Sequence, residues 1–290
     1  MITSCRNYLV LGSTQLFLAV AGTVGNLLVI LGIICSPRLL RNIHYYLVLH
    51  LAICDFFTLV LTSSLIYYLL TGSSMINSPV LCKLWVPTLT VFYNAGSFFM
   101  VLISIVRYQA VLKPLEPSVS QCKVKVLAML VYVFAAICML PYVLVLQFNS
   151  RSGCVEEWPV ETLNICYTLF LAAVQYFIPV VLLTTMYWKI CIALLKQNRK
   201  VRVLRAGAAG ISQQENISPY RRLRQHRNVR TFLVSFTVVV CFAVTALPSQ
   251  FIYILSASNV IEFPWYYFWF GVMNSFGVSA ANPFIYRTLD

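Results

Sequence analysis

The stretch FMVLISIVRYQAVLKPL, residues 99–115, decides the fold because it closes a long apolar run with one cation, Arg107. No acid neighbours this arginine, since Val106 precedes it and Tyr108 follows it. A charged side chain at the centre of a bilayer costs roughly 2.5–3.5 kcal/mol or more. As a helix, the segment from Cys82 to Arg107 is ~37 Å long, more than the ~30 Å hydrocarbon core. We therefore expect Cys82 at the outer surface and Arg107 at the inner boundary, as a functional group or as a snorkelling interface arginine.

The composition is that of an integral membrane protein. Of the 290 residues, 60% are hydrophobic and 10% are charged, whereas ordinary soluble domains carry about 25% charged residues. Runs of about 20 apolar residues cross a bilayer as helices, and these runs lack the alternation of β-barrel strands. The sequence predicts an all-α seven-transmembrane helix bundle, one domain over residues 1–290, with spans near 8–34, 44–70, 82–105, 124–147, 163–188, 231–256 and 264–286.

The basic residues predict the orientation. Nearly all of them lie in 35–43, 106–125 and 189–230, whereas the alternate connections hold only Lys83 and Arg151. The positive-inside rule then places the N-terminus outside, in a multi-pass protein of the plasma membrane. The net charge of +13 is a topology signal, so we expect no nucleic-acid partner. The polar segment 196–228 is predicted to be a flexible inner loop, whose charges contact membrane lipid headgroups or only solvent.

Polar residues inside the spans are candidates for function. Asp55 is the only acid within the apolar runs, and Asn26, Ser279 and Asn282 can share a polar interior with it. A protonated structural carboxyl is the alternative. No H-E-x-x-H, G-x-S-x-G or P-loop pattern occurs, and paired intramembrane carboxylates are absent. We therefore expect no enzyme activity and no cofactor, and we disfavour a transporter.

Two cysteines in the outer connections, Cys82 and Cys154, are placed where a disulfide is chemically sensible. Cys5 also lies outside and competes for either partner, so spacing alone leaves the pairing open.

Taken together, the motifs resemble the rhodopsin-like (class A) G protein-coupled receptors over essentially the whole chain. The matching elements occur in order on the expected spans: GN at 25–26, LAICD at 51–55, Cys82 with Trp85, RYQAVLKPL at 107–115, FIP followed by Tyr187, Phe242 with Pro248, and NPFIY at 282–286.

The resemblance implies roles for these residues. Cys82 and Cys154 would form the disulfide that ties the third helix to the second outer loop. Asp55 would be the carboxylate of an interior pocket for water and a sodium ion, shared with the polar residues named above. No other metal is implied.

The inner end of the bundle would contact a heterotrimeric G protein. By resemblance, Arg107 meets the carboxy-terminal helix of its α subunit and Leu115 packs into a hydrophobic pocket of it. Tyr187 and Tyr286 would swing inward in the active state, and Pro248 would be the hinge of the sixth helix. The residues predicted for coupling and activation are Arg107, Tyr108, Leu115, Tyr187, Phe242, Pro248 and Tyr286.

Departures from the family pattern modify these expectations. Val106 replaces the acid that usually precedes the arginine, Ala246 replaces a tryptophan of the sixth helix, and Gly96 replaces a serine of the sodium pocket. We expect a less firmly held inactive state with raised basal signalling. The alternative is a receptor-fold protein with weak or no G protein output, acting as a scavenger or partner subunit.

The ligand is predicted mainly by exclusion. Leu89 stands where amine receptors carry an aspartate, and Phe276 stands where opsins carry their retinal lysine. The predicted cavity wall is aromatic and apolar with a few hydrogen-bonding groups, and consists of Leu89, Tyr93, Gln250, Tyr253, Phe268 and Val272. This lining favours an extracellular peptide, with a lipid or odorant-like ligand as the alternative. The acids of CVEEWPVE, 154–161, attract a basic peptide or, as the favoured interpretation, form an ordinary solvated loop.

Overall fold

The computed structural model describes residues 2–113, 119–149, 153–208, 219–258 and 276–287, with side chains described outside 2–8, 69, 197–208, 219–231 and 286–287. Helices make up most of this part of the chain: α1 (Ile2–Ile34), α2 (Pro37–Leu40), α3 (Ile43–Thr71), α4 (Pro79–Leu112), α5 (Gln121–Val145), α6 (Glu161–Ala172), α7 (Ile178–Ala208), α8 (Pro219–Ala257) and α9 (Gly277–Arg287). A π-helical turn, Ala173–Phe177, joins α6 to α7. Two strands, β1 (Leu146–Asn149) and β2 (Gly153–Glu156), pair antiparallel between α5 and α6.

Six stretches of the described helices are long and apolar enough to cross a membrane: Leu9–Ile34, Ile43–Tyr68, Pro79–Leu112, Gln121–Val145, Glu161–Lys196 and Phe232–Ala257. They coincide with six of the seven predicted spans. The seventh, near 264–286, lies outside the described residues except for its end, which is α9. The all-α membrane bundle predicted from the sequence is confirmed.

Burial separates central from peripheral helices. The most apolar windows of α3 and α4 are each 56% buried, whereas those of α1 and α5 are 17% and 22% buried. Outward-facing apolar side chains such as Phe17 and Leu144 therefore suit lipid contact rather than water. The core lies where α3, α4, α7 and α8 meet, and its largest fully buried side chains include Leu51, Phe99, Leu183, Ile190 and Phe242.

Helix ends follow from local sequence. Asn42, Ser78 and Ser120 precede α3, α4 and α5, and each side chain accepts a hydrogen bond from a backbone N–H two or three residues later. Such caps satisfy donors that the first helical turn leaves without partners. Gly72 ends α3 with φ of 72°, a left-handed conformation that glycine adopts without steric strain.

Several prolines lie inside helices that continue through them. Pro141, Pro248 and Pro283 are interior to α5, α8 and α9, and Pro87 is interior to α4. Pro179 follows the π-helical turn. A proline has no backbone N–H to donate within a helix, and the extra residue of the π-helical turn accommodates the missing hydrogen bond.

Two glycines allow α1 to approach its neighbours closely. A Cβ added at Gly22 would lie 2.7 Å from Ala280 Cα and 2.7 Å from Leu59 Cδ1. A Cβ at Gly25 would lie 2.8 Å from Pro283 Cβ. Small residues at these positions let the backbones of α1 and α9 pack together, as is common between membrane helices.

The predicted flexible segment 196–228 is corrected to helix over most of its length. α7 continues to Ala208 and α8 begins at Pro219. Nucleation is the costly step of helix formation, and Lys, Arg, Gln and Leu have high helix propensity, so a membrane helix extends readily through such residues. The polar composition of this segment is therefore compatible with helix. Residues 209–218 lie outside the described residues.

Candidate functional site

At the outer end of α4, Cys82 and Cys154 form a disulfide with their Cα atoms 5.5 Å apart. Cys154 lies on β2, where it pairs with Phe148 of β1. The Glu157 backbone N–H then donates to the Val145 carbonyl at 2.9 Å. The disulfide and the ladder together hold the β-hairpin over the outer end of the bundle.

A cavity of ≈ 170 Å³ lies between this hairpin and helices α4, α5, α6 and α8. Four of the predicted ligand residues, Leu89, Tyr93, Gln250 and Tyr253, line it. The other two, Phe268 and Val272, lie outside the described residues, and the ligand role of all six stays a prediction. Pockets for drug-sized molecules occupy about 300–1,000 Å³, so the described cavity suits one end of a ligand, such as one or two side chains.

The deep part of this cavity carries polar groups that lie mostly out of water. Gln175, Gln250 and Ser249 are 8%, 5% and 1% exposed. The Tyr93 hydroxyl is buried and forms no hydrogen bond with any described residue. Such groups favour a ligand that supplies hydrogen-bonding partners, because a buried polar atom without one costs about 1–3 kcal/mol.

Below the cavity, a polar centre joins α1, α3 and α9. Ser279 Oγ donates to Asp55 Oδ1 and Asn282 Nδ2 donates to Asp55 Oδ2, both at 2.7 Å. Asn26 Nδ2 donates to the Ser279 carbonyl at 2.9 Å. The structure therefore brings together the four residues that the sequence placed in one interior, and Gly25 explains why α1 comes close enough to take part.

The oxygen atoms of this polar centre suit the coordination of a hard monovalent cation or a water molecule. The amide oxygens of Asn26 and Asn282 are buried and have no hydrogen-bond partner among the described residues. Together with the Asp55 carboxylate they offer only oxygen ligands, which hard cations prefer. Gly96 adds no side chain here, and a Cβ at that position would lie 4.0 Å from Asp55 Oδ1.

At the inner end of α4, Arg107 lines a narrow cavity of ≈ 20 Å³ with Tyr187 of α7 and Phe232 of α8. Tyr187 is 2% exposed, and its hydroxyl lies close to Ser104 of α4 and Ser235 of α8. These contacts place Tyr187 inside the bundle between α4 and α8. The volume holds about one water molecule.

Of the remaining residues predicted for coupling, Tyr108 lies on α4, Phe242 and Pro248 lie on α8, and Tyr286 lies on α9. Phe242 of α8 is buried, with its ring centroid 5.8 Å from that of Tyr176. Tyr108 faces α7, where Lys189 Nζ lies 6.0 Å from its ring centroid. Leu115 and the Tyr286 side chain lie outside the described residues.

The sequence missed two residues of these sites. Glu156 lines the outer cavity, although the favoured interpretation of its segment was an ordinary solvated loop, with attraction of a basic peptide as the alternative. His44 lies near Arg107, and both of its ring nitrogens are buried without a hydrogen-bond partner among the described residues. The sequence feature that could have identified His44 is its position just inside the inner end of an apolar run.

Residues 25–286 match the family model described as 7 transmembrane receptor (rhodopsin family). The chain belongs to the rhodopsin family of seven-transmembrane receptors. It is 29% identical over 265 residues to neuropeptide Y receptor type 6 of Oryctolagus cuniculus, covering 86% of this chain and 65% of that protein. It is 24% identical over 290 residues to tachykinin-like peptides receptor 99D of Drosophila melanogaster, covering 93% and 52%. It is 26% identical over 318 residues to the alpha-1A adrenergic receptor of Oryzias latipes, covering 96% and 63%.

The receptor therefore spans only part of each relative's length. Family membership, with several apolar helices, makes it a multi-pass protein of the plasma membrane, and agrees with the prediction that it is not an enzyme. The outer cavity and the Arg107 end of the receptor lie at opposite ends of α4, with the polar centre between them.

Proposed function

We propose that the chain is a ligand-activated G protein-coupled receptor, which binds an extracellular peptide in the outer cavity and activates a heterotrimeric G protein at its Arg107 end. The observation that carries this proposal is the course of α8. One continuous helix supplies Gln250 and Tyr253 to the outer cavity and Phe232 to the inner one. A ligand at one end therefore touches the same element as the transducer at the other.

The size of the inner cavity supports a movement of α8 on coupling. A helix with its side chains is ~10–12 Å wide, and a space that holds about one water molecule does not admit it. The inner part of α8 must move away from α4 before a G protein helix reaches Arg107. Pro248 lies inside α8 and interrupts its hydrogen-bond ladder, which makes it the proposed hinge.

Ligand binding would act by population shift. A ligand moves the equilibrium only if it binds the open arrangement of α8 more tightly than the closed one. Gln250 is buried and lines the cavity next to Pro248, the proposed hinge. A ligand that hydrogen-bonds to the Gln250 amide can therefore bind the open and closed arrangements of α8 with different affinities.

The peptide assignment rests on the lining and on the relatives. Leu89 lines the cavity where amine receptors carry an aspartate, so that anchor for an amine is absent from α4. Two of the relatives are named as receptors for peptides, neuropeptide Y and tachykinin-like peptides, although the third is named as an adrenergic receptor. A lipid or odorant-like ligand is the alternative, and the polar groups deep in the cavity argue against it.

A second candidate function is a receptor-fold protein with weak or no G protein output. It is favoured by Val106, which leaves Arg107 without an adjacent acid, and by Ala246, which is fully buried where the family carries a tryptophan. These substitutions alter parts that normally set the two states of the bundle.

We also propose that Asp55, with the oxygens of Asn26, Ser279 and Asn282, holds sodium or water between the two ends of the bundle. A sodium ion there supplies positive charge to the Asp55 carboxylate, whose hydrogen-bond donors among the described residues, Ser279 and Asn282, are both neutral.

A G protein dissociation assay across the α-subunit classes, run with a panel of neuropeptides in cells, tests the receptor function. We expect a response in the native chain that Arg107→Gln abolishes at equal surface expression. Arg38→Gln is the matched control, because Arg38 is an exposed arginine of α2 away from the Arg107 cavity. A response that survives Arg107→Gln contradicts the proposed coupling, and a native chain silent to the whole panel favours the second function.

A further inference from the structure

The outer cavity carries one negative charge that the proposed function leaves unexplained. Among the described lining residues, Glu156 is the only charged side chain, and the others are apolar, hydroxyl or amide groups. Glu157, which follows it, is not part of the lining. The position of the charge therefore depends on one residue of β2.

The fold fixes Glu156 in place. It pairs with Leu146 of β1, and Cys154, two residues earlier, is bonded to Cys82 of α4. Side chains on a strand alternate between faces, so Cys154 and Glu156 point to the same side of the hairpin, towards the bundle. A backbone anchored in this way loses little freedom when a ligand binds, which favours affinity.

Two donors orient the carboxylate. Tyr142 Oη donates to Glu156 Oε1 and Trp158 Nε1 donates to Glu156 Oε2, both at 2.9 Å. An ionised carboxylate accepts about four hydrogen bonds, so about two acceptor positions remain. Within the described part of the chain, Glu156 forms no salt bridge, and its charge is not neutralised by a basic side chain.

Aromatic rings surround the same point. Tyr142 and Tyr167 both line the cavity, stacked with their ring centroids 6.3 Å apart. Trp158 lies against Tyr167 with centroids 5.2 Å apart. Aromatic faces attract organic cations through the ring quadrupole, and guanidinium groups stack on them especially well. A neutral acceptor would satisfy the two donors equally well, so the hydrogen bonds alone do not require a charge.

We propose that Glu156 and the rings of Tyr142 and Tyr167 form a subsite for an organic cation, the guanidinium or ammonium group of the extracellular ligand. This deepens the proposed ligand-receptor function and rests on it. The cation pairs with the free acceptor positions of the carboxylate while its flat face or its methylene groups contact the tyrosine rings. An anionic group at this position is repelled, and a neutral group leaves the charge without a partner.

Direct binding to the full-length receptor, purified in detergent, tests the subsite without any G protein. One arm compares acetyl-Trp-Arg-amide with acetyl-Trp-citrulline-amide, in which a neutral urea replaces the guanidinium at nearly the same shape. A second arm compares 2-phenylethylguanidinium with 2-phenylethylurea. Affinities are measured by ligand-observed NMR titration for the native receptor, Glu156→Gln and the matched control Glu157→Gln.

We expect both the removal of the ligand's charge and Glu156→Gln to weaken cation binding about tenfold, since hydrogen bonds to a charged group are stronger than neutral ones and Glu156 is partly open to water. Glu157→Gln leaves the affinity unchanged.

Binding of the dipeptide assigns the cation to a peptide, and binding of the small guanidinium alone assigns it to an amine-like molecule. The proposal is overturned if neither cation binds the native receptor, or if Glu156→Gln and the neutral analogues bind as tightly as the native pair. Because no G protein is present, these outcomes are independent of whether the receptor couples.

Discussion

The substitution Gly22→Ala tests the close packing on which the polar centre depends. The added Cβ would lie 2.7 Å from Ala280 Cα and 2.9 Å from Ala280 Cβ. A backbone atom does not move aside unless its helix shifts, so α1 and α9 must separate. Leu59 Cδ1 also lies 2.7 Å away, although that side chain has other rotamers. A shift of α1 also pulls Asn26 away from the carbonyl of Ser279.

The magnitude follows from two opposing terms. Alanine is favoured over glycine inside a helix by up to about 1 kcal/mol, and overpacking a filled contact costs typically ~1–3 kcal/mol. The matched control is Gly32→Ala, because Gly32 lies on the same helix and an added Cβ there meets nothing within 4 Å. The control carries only the favourable term, so the difference between the two variants isolates the packing cost of ~1–3 kcal/mol.

Thermal unfolding of the purified receptor, followed with a thiol-reactive or intrinsic fluorescence probe at one scan rate, measures this difference. For chains of about 150–250 residues, 1 kcal/mol corresponds to roughly 2–4 °C, so we expect Gly22→Ala to melt several degrees below Gly32→Ala. Equal melting temperatures for the two variants would refute the close approach of α1 and α9. A Gly22→Ala variant that melts above the native receptor would refute it more directly.

Two further predictions concern the polar centre and the inner end. Asp55→Ala leaves the buried donors of Ser279 and Asn282 without their acceptor, at about 1–3 kcal/mol for each unsatisfied group, so the melting temperature should fall, and Asp55→Asn should restore part of it. An unchanged melting temperature in Asp55→Ala would contradict these contacts. Val106→Asp should lower ligand-free G protein signalling severalfold at most at matched surface expression, because an ion pair with Arg107 at a wet boundary contributes about 0–1 kcal/mol. Val106→Ala serves as its control, and equal basal signalling in all three receptors would exclude the idea.

The membrane spans could be predicted because bilayer thickness sets the length of an apolar helix. The polar centre was equally accessible, since a lone carboxylate at Asp55 requires hydrogen-bonding partners, and Asn26, Ser279 and Asn282 are polar residues of the first and seventh spans. The family resemblance supplied the Cys82–Cys154 pairing that spacing left open, and the structure forms that bond.

Contacts that depend on three-dimensional placement could not be predicted. Glu156 and Glu157 are identical residues side by side, and only the strand register decides which of them lines the cavity. Likewise, the helical continuation of α7 beyond 196 reflects nucleation by the membrane span, which a local reading of polar residues does not include. The π-helical turn Ala173–Phe177 was not predicted either.

The same turn indicates how the outer cavity and the inner end are connected in a receptor that lacks the usual tryptophan on α8. Tyr176 of the π-helical turn donates from its hydroxyl to the Ala243 carbonyl at 2.7 Å, in the part of α8 just before the proline. Its ring also lies 5.8 Å from Phe242, centroid to centroid, and Gln175 beside it lines the outer cavity. A ligand that moves this turn therefore acts on α8 at the point where its backbone ladder is weakest. Ala246 presents no large side chain there, so we propose that the contact between Tyr176 and Phe242, rather than a rotating indole, connects the two ends of the receptor.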